Sequence, residues 1–239
     1  MVAFSLSLPR FSRADAQRVI QIIRVGNVST LANENLRAER LTGGEAGLSQ
    51  SVFNNKLSVR GTFFWSEITQ PVANVTLSVT PNLITRQRQN LGRTRSRGLE
   101  LEAEAHVNNR WTLAGGYLFA DATVGSFPAD PALEGARIPQ VARQQLTIQA
   151  RYAHPARYTL GLQGRFVGAQ FDDDQNLLRL GSFFTLDALA SKQLTRTTEA
   201  FLAAENLFNQ RYSIGRTPVM TLSALLLLRV GLRFRLGSR

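Results

Sequence analysis

The sequence predicts an all-β protein, an antiparallel transmembrane β-barrel with about 9–10 strands. Three observations predict this fold. Apolar and polar residues alternate with a period of two through many segments, which is typical of a strand with one apolar side. These segments run to roughly 10 to 20 residues, whereas strands of soluble proteins average about 5–6. Short polar turns alternate with long connections, an asymmetry typical of outer-membrane barrels.

Residues 99–107 show the alternation most clearly. Every second residue is apolar, and Glu100, Glu102 and Glu104 fall together on the other side, because successive strand residues point to opposite faces. Residues 158–171 and the segment that ends at Leu236 repeat the pattern. The pattern predicts about nine strands over residues 40–236, with residues 19–30 as the candidate for a tenth.

Turns and loops are predicted between these segments. Asn and Pro favour tight turns, which we expect at residues 54–55, 108–109, 154–156 and 195–198. Longer connections are expected at residues 126–139, 172–176 and 213–221. Four aromatic residues near segment ends predict an interfacial girdle: Trp111, Tyr152, Tyr158 and Tyr212. A soluble β-sandwich or lipocalin-like barrel is the alternative fold.

The composition narrows the class of protein. Charged residues make up 19% of the chain, below the quarter or so of soluble domains. Cysteine is absent, which excludes disulfides and thiolate sites. The net charge is +11 and comes almost entirely from arginine. These arginines are spread through the alternating segments, so we expect no nucleic-acid binding. They are expected to line a lumen or to meet outer-membrane lipid and lipopolysaccharide at the rim.

Two clusters invite a chemical interpretation. His106 shares a strand face with three glutamates and could bind a metal, but a polar barrel wall is the favoured interpretation. Residues 172–176 could bind Ca²⁺, but they lack the glycine and distal glutamate of an EF-hand, so a solvated loop is favoured. We therefore expect no catalytic residues, no cofactor, no metal site and no enzymatic activity.

Three stretches resemble the C-terminal part of the β-barrel of TonB-dependent outer-membrane receptors. Residues 31–48 resemble the start of a long strand pair, and residues 97–102 resemble the family's G-[IVL]-E strand start. Residues 205–212 are similar to its N-L-F-[DN]-x-x-Y element. The family-motif positions are Glu45, Gly47, Gly98, Glu100, Asn206, Leu207, Phe208 and Tyr212.

The resemblance implies energy-coupled uptake of a scarce ligand, of the ferric siderophore or cobalamin class, across an outer membrane. It implies five lumen-facing positions: Glu102, Gln163, Arg165, Arg229 and Arg233. The long loops would face outside and meet ligand. The barrel assembly machinery would recognise Phe234 and Leu236, and the TonB complex would be a partner only if a plug domain is supplied.

The chain is shorter than the family's 22-stranded barrel, which would need over 400 residues at about 20 per strand. We expect residues 1–23 to be an atypical N-terminal segment and residues 24–239 to be a partial barrel. A truncated or re-started reading frame, inactive alone, is the favoured explanation over a natural short family member. A small passive porin, a nonfunctional fragment and a soluble basic β-protein are the alternatives.

Overall fold

Long strands and short turns make up most of the computed structural model, which describes residues 2–7, 13–14, 22–154 and 157–235. Within these ranges there are nineteen strands and one turn of 3-10 helix, Pro131–Leu133. In chain order the strands are β1 (Val2–Ser7), β2 (Arg13–Ala14), β3 (Ile23–Val25), β4 (Val28–Leu31), β5 (Glu39–Val52), β6 (Leu57–Thr69), β7 (Val72–Thr80), β8 (Leu83–Asn90), β9 (Arg93–His106), β10 (Trp111–Ser126), β11 (Gln144–Ala153), β12 (Tyr158–Val167), β13 (Gln170–Phe171), β14 (Arg179–Leu180), β15 (Phe183–Gln193), β16 (Thr198–Glu205), β17 (Ser213–Gly215), β18 (Thr221–Leu222) and β19 (Leu227–Phe234). No helix in the described ranges is long and apolar enough to cross a membrane.

One large antiparallel sheet, here called the main sheet, carries the fold. Its strand order is β1-β5-β6-β9-β10-β11-β12-β15-β16-β19, with β2 also paired to β5. Nine of these strands lie beyond residue 39, which confirms the number predicted from the alternation. The sheet is open in the described part of the chain, because β1 and β19 form its two ends. The all-β antiparallel prediction is confirmed.

The predicted tenth strand at residues 19–30 is wrong. Within it, Ile23–Val25 and Val28–Leu31 form a hairpin that lies outside the main sheet, because β4 pairs in parallel with β8. The tenth strand of the main sheet is instead Val2–Ser7, which pairs with β5 from Glu45 to Gln50. The alternation did not reveal this strand because it is only six residues long.

The two faces of the main sheet differ in chemistry. Cross-strand register keeps alternate residues on the same side from strand to strand, so the leucines and phenylalanines gather on one apolar face. Members of this face are exposed, among them Leu48, Phe63, Leu99, Leu101, Leu113, Ile148, Leu160, Leu162, Leu202, Val230 and Leu232. A soluble sandwich would bury such a face in its core, whereas a transmembrane barrel presents it to lipid.

The two ends of the main sheet differ in the length of their connections. Four tight turns lie at one end, at residues 53–56, 107–110, 154–157 and 194–197, of which 155–156 are outside the described residues. Asn54 and Asn55 have φ angles of 55° and 63°, a region that asparagine tolerates better than most residues. All connections at the other end are long. The predicted asymmetry is therefore present, and that end is here called the long-loop end.

The long loops contain most of the buried hydrophobic side chains. A four-stranded sheet, β3-β4-β8-β7, and two short hairpins, β13-β14 and β17-β18, lie among them. The hydrophobic cluster of the described residues lies there too and consists of Val75, Leu91, Val124, Phe127 and Leu133. The protein thus has its packed core in the loops, while the strands expose their apolar face.

Aromatic side chains mark the tight-turn end of the apolar face. Trp111 and Tyr152 have ring centroids 5.0 Å apart, and Tyr152 and Tyr158 have centroids 5.7 Å apart. This arrangement matches the interfacial girdle that the sequence predicts. For Tyr212 the girdle prediction is wrong, because its ring stacks on Phe183, with centroids 3.6 Å apart. Phe183 lies on the same side of β15 as Asp187, away from the apolar face.

Candidate functional site

The opposite face of the main sheet is polar and gathers most of the positions that the sequence singles out. Register places on this polar face Glu45, Gly47, Gly98, Glu100, Glu102, Gln163, Arg165, Arg229 and Arg233. Glu102 lies opposite Arg60, and Gln163 lies opposite Asp187. That this face lines a lumen stays a prediction.

Two of these arginines already have partners within the sheet. Arg233 Nη1 lies 3.0 Å from Glu199 Oε2, and Arg229 pairs with Glu205. Both glutamates belong to β16, the strand beside β19. Neither Glu199 nor Glu205 was predicted as a partner of these arginines. The alternation along β16 puts both glutamates on the polar face, which is the signal that could have identified them. The pairs are partly exposed, so each contributes little stability.

The glutamates of β9 do not form a metal site. His106 Nε2 lies 3.0 Å from Glu104 Oε1, and both side chains are more than half exposed. Across the described residues there is no group of three or more His, Asp or Glu side chains positioned to hold a metal ion. That these side chains form the polar wall of a barrel stays a prediction.

Gly98 lies at a point of close packing on the polar face. It pairs with Phe64 of β6, whose ring covers it. A Cβ at this position would lie 2.5 Å from Phe64 Cζ and would overlap the carbonyl oxygen of Phe119. The motif glycine is therefore required for a close approach between the backbone and a ring.

Asn206 organises the turn that leaves β16. It is buried at 6% exposure and has a φ angle of 53°. Its side chain donates to the carbonyls of Gln210 and Ala224, both at 3.0 Å, and accepts from the Gln210 amide at 3.0 Å. Its own amide donates to Asp187 Oδ1 at 2.8 Å. One side chain thus ties the start of the loop to its end.

The other positions of this motif have different surroundings. The Tyr212 hydroxyl accepts a long 3.4 Å hydrogen bond from Arg165, whose guanidinium lies 5.5 Å from the centre of the Phe183 ring. Leu207 and Phe208 are exposed, at 37% and 64%. Phe234, 65% exposed, ends β19 on the apolar face, and Leu236 lies outside the described residues. Their recognition by the assembly machinery stays a prediction.

A run of three carboxylates lies where the long loops meet, and two of the three join separate loops. Asp172 accepts from Gln140 Nε2 at 2.9 Å, from the amides of Arg216 and Thr217 at 2.8 Å, and from Thr217 Oγ1 at 2.9 Å. Asp174 accepts from the amide and hydroxyl of Thr76 at 2.8 and 2.6 Å. We call Asp172, Asp173 and Asp174 the acidic clasp.

The interpretation of residues 172–176 as a solvated loop is wrong. Asp172 and Asp173 are buried at 7% and 6% exposure, and Asp173 accepts from the amides of Leu177 and Leu178 within its own turn. Asn176 exchanges hydrogen bonds of 2.7 and 2.9 Å with the backbone of Arg137. The polar side chains of this segment satisfy backbone groups brought from distant parts of the chain.

Hydrogen bonding controls the charge of Asp172. Burial opposes its ionisation, but bonds from Gln140, Arg216 and Thr217 outweigh burial and lower the pKa of the carboxyl below its ordinary value. Burial also lowers the pKa of Arg137, with Arg143 nearby adding repulsion. Asp172 therefore keeps its negative charge at neutral pH.

A cavity of about 680 Å³ lies between the loops and the polar face. Its wall includes Asn74, Arg86, Thr94, Arg137 and Gln140, and the clasp closes one side. Arg86 Nε is buried at this wall without a hydrogen-bond partner. Ligand sites of proteins are commonly cavities of about 300–1,000 Å³ with a few convergent polar groups, so this cavity is the candidate ligand site.

Comparison with known proteins identifies the sheet. The family model of the TonB-dependent receptor-like β-barrel matches residues 6–207. The chain belongs to this family. The match begins at residue 6, inside the N-terminal segment of residues 1–23 that was predicted to be atypical. The division of the chain at residues 23 and 24 stays a prediction. Family membership places the chain in an outer membrane and agrees with the apolar outer face of the sheet.

The relatives of this TonB-dependent receptor barrel are receptors and transporters. The ferrichrome outer-membrane transporter and phage receptor of Escherichia coli is 30% identical over 129 residues, which cover 51% of this chain and 17% of that protein. The siderophore receptor PiuA of Acinetobacter baumannii superposes with a TM-score of 0.69 at 18% identity, covering 89% of this chain and 30% of that one.

A third relative extends the same pattern. The ferric yersiniabactin uptake receptor FyuA of Yersinia pestis superposes with a TM-score of 0.67 at 17% identity, covering 98% of this chain and 34% of that one. The chain thus spans between 17% and 34% of the length of these relatives. At these identities the superpositions show the fold alone, while the family model shows membership.

Proposed function

We propose that this chain forms part of the barrel wall and ligand-facing loops of an outer-membrane receptor that takes up a ferric siderophore with energy from the TonB complex. The observation that carries the proposal is the cavity enclosed by the long loops and the polar face. In outer-membrane barrels the long loops are extracellular, so the cavity would open to the side from which a scarce ligand arrives.

The lining of the cavity suits a siderophore complex better than a simple ion. A cavity of about 680 Å³ accommodates a molecule of drug size. Arg86 supplies a guanidinium whose buried Nε lacks a partner, and Arg137 adds a second positive charge. Guanidinium groups bind carboxylate and other planar oxygen acceptors in bidentate geometry. Ferric siderophores present such oxygen atoms, and three relatives carry names of ferric or siderophore uptake.

The test uses a chimera, because the chain spans only part of its relatives. Residues 22–235 replace the matching segment of the E. coli ferrichrome transporter in cells without other siderophore receptors. Uptake of ⁵⁵Fe from hydroxamate and catecholate siderophores, and uptake of labelled cobalamin, is measured with and without TonB. We expect TonB-dependent uptake of at least one ferric siderophore. Uptake of cobalamin alone, or uptake that persists without TonB as in a porin, would contradict the proposal.

A matched pair of variants tests the cavity itself. Arg86→Gln removes the guanidinium at the cavity wall, while Arg88→Gln changes the same residue type two positions along β8, at a site that is not among the lining residues. We expect Arg86→Gln to weaken ligand binding by roughly tenfold, equivalent to about 1.4 kcal/mol, and Arg88→Gln to leave it unchanged. Equal effects of the two variants would exclude the cavity as the ligand site.

A further inference from the structure

The apolar face of the main sheet becomes strongly cationic at one place, the long-loop end of β9. Alternation puts Arg93, Arg95 and Arg97 on the same face as Leu99 and Leu101. The three arginines are exposed, and the two leucines are 39% and 42% exposed. The face that meets lipid along the rest of β9 therefore ends in a row of guanidinium groups.

A fourth arginine and two carboxylates complete this cluster. Asp121 of β10 lies 2.6 Å from Arg143 Nη2 and 3.6 Å from Arg97 Nη2. Glu67 of β6 lies 3.4 Å from Arg93. We call Arg93, Arg95, Arg97 and Arg143 the arginine patch.

Positive charge is in excess at the patch. Four guanidinium groups face two carboxylates, and no ion pair within the described residues involves Arg95. Asp121 is only 18% exposed, so it is well placed to orient the two arginines that it contacts. The patch therefore carries more positive than negative charge, which favours an anionic partner.

The two tryptophans of the chain give the height of the patch relative to the membrane. Trp65 is in register with Arg97, and Arg97 is in register with Asp121. Trp111 lies ten residues before Asp121 on β10, which corresponds to about 33 Å along a strand. With the usual tilt of about 40°, the vertical distance is about 25 Å, equal to the apolar band of outer-membrane barrels. Arg97 therefore lies at the outer edge of that band.

The next arginine lies within the headgroup layer. Lipid headgroups occupy about 5–8 Å on each side of the hydrocarbon core. Arg95 is two residues beyond Arg97, which is about 5 Å further along the membrane normal after the same tilt correction. Arg97 and Arg95 thus lie at the depth of lipid phosphate groups, while Arg93 lies at the outer margin of that layer.

We propose that the arginine patch binds the phosphate groups of a phosphorylated outer-leaflet lipid, with lipid A of lipopolysaccharide as its occupant. Guanidinium groups bind phosphate in bidentate geometry and are held more strongly where water is scarce. Below the patch, Phe63, Leu99 and Phe119 form one cross-strand row on the same face and would contact the acyl chains. Alternation places the patch on the outside of the sheet. Arg95 also borders the cavity, whereas Arg97 and Arg143 do not, so a variant of these two residues tests the lipid site separately from the proposed uptake function.

The experiment counts lipids bound to the full chain in detergent micelles by native mass spectrometry. The lipids are bisphosphorylated lipid A and the same lipid without phosphates, and inorganic phosphate is the competitor. The test variant is Arg97→Gln with Arg143→Gln, because both arginines contact Asp121 and neither lines the cavity. The control is Arg60→Gln with Arg151→Gln, which removes the same charge from the polar face. Heat-modifiable mobility in gels reports folding of each variant.

We expect the test variant to bind bisphosphorylated lipid A on the order of 30-fold more weakly, from about 1 kcal/mol per arginine near a charged membrane surface. Removal of the lipid phosphates should have a similar effect, and the control should bind as the unchanged chain does. A second variant, Arg97→Lys with Arg143→Lys, keeps the charge and should retain part of the affinity.

Three results would overturn the proposal. Equal loss in the test and control variants would show a general charge effect. Displacement of lipid A by equimolar inorganic phosphate would show a site for the free anion. Equal binding of bisphosphorylated and phosphate-free lipid A by the unchanged chain would show that the patch does not recognise phosphate.

Discussion

Removal of the Asp172 carboxylate should loosen the long loops while leaving the main sheet intact. The side chain accepts four hydrogen bonds of 2.8–2.9 Å from Gln140, Arg216 and Thr217. A hydrogen bond to a charged acceptor contributes about 1.5–3 kcal/mol. The four bonds of Asp172 share one carboxylate, so their contributions to stability do not add up in full. Removal of the carboxylate leaves these buried amide and hydroxyl donors without an acceptor, and an unsatisfied buried donor costs about 1–3 kcal/mol. We expect Asp172→Ala to cost about 3 kcal/mol in local opening of the loops.

Hydrogen exchange measured by mass spectrometry tests this expectation. A local cost of about 3 kcal/mol corresponds to a loss of protection on the order of 100-fold, since 1.4 kcal/mol is tenfold. The loss should appear in residues 206–226, which contain Arg216 and Thr217, and not in β9 or β10. Asp130→Ala is the matched control, because Asp130 accepts one 3.2 Å bond at an exposed 3-10 turn and should cost about 1 kcal/mol or less. Equal protection in the Asp172 and Asp130 variants would refute the role of the clasp.

The remaining predictions concern pH, membrane facing and the motif asparagine. Because the folded-state pKa of Asp172 is lowered, its stabilisation is fully present above the ordinary aspartate pKa of about 3.9 and is lost as the pH falls through the folded value. Loop protection factors, which correct the exchange rate for the intrinsic pH dependence of amide exchange, should therefore stay constant from pH 7 to about pH 5, and a loss of protection within that range would contradict the hydrogen-bond network. Leu162→Arg should destabilise the inserted protein by about 2–4 kcal/mol at mid-bilayer, whereas Gln163→Arg on the polar face should not; refolding titrations that give equal costs would reverse the assignment of faces. Asn206→Ala should lower the free energy of unfolding by about 2–4 kcal/mol, because it removes three side-chain hydrogen bonds at a residue with positive φ. The control is Asn209→Ala, since Asn209 has a similar φ of 49° but its side chain accepts one hydrogen bond, from the Leu226 amide. Equal costs for the two variants would show that the buried bonds of Asn206 contribute nothing.

The alternation predicted the main sheet because strand geometry is local. A period of two needs only neighbouring residues, so Glu102 and Gln163 could be placed on the polar face without knowledge of their partners. The turns were equally readable, because Asn54 and Asn55 adopt left-handed backbone angles that few other residues tolerate. The short strand Val2–Ser7 was missed because six residues give too few alternations to detect.

The contacts between the long loops could not be predicted from the sequence pattern. Asp172 meets Arg216 across 44 residues and Gln140 across 32, and Asp174 meets Thr76 across 98. A run of aspartates has the same local pattern whether it is solvated or buried, and only the approach of distant backbone amides distinguishes the two cases. The sequence by itself therefore determined the class of fold, the strand faces and the family motifs. The tertiary structure decided which loops are joined, where the cavity lies and which arginines gather around Asp121, because each of these depends on pairings between residues far apart in the chain.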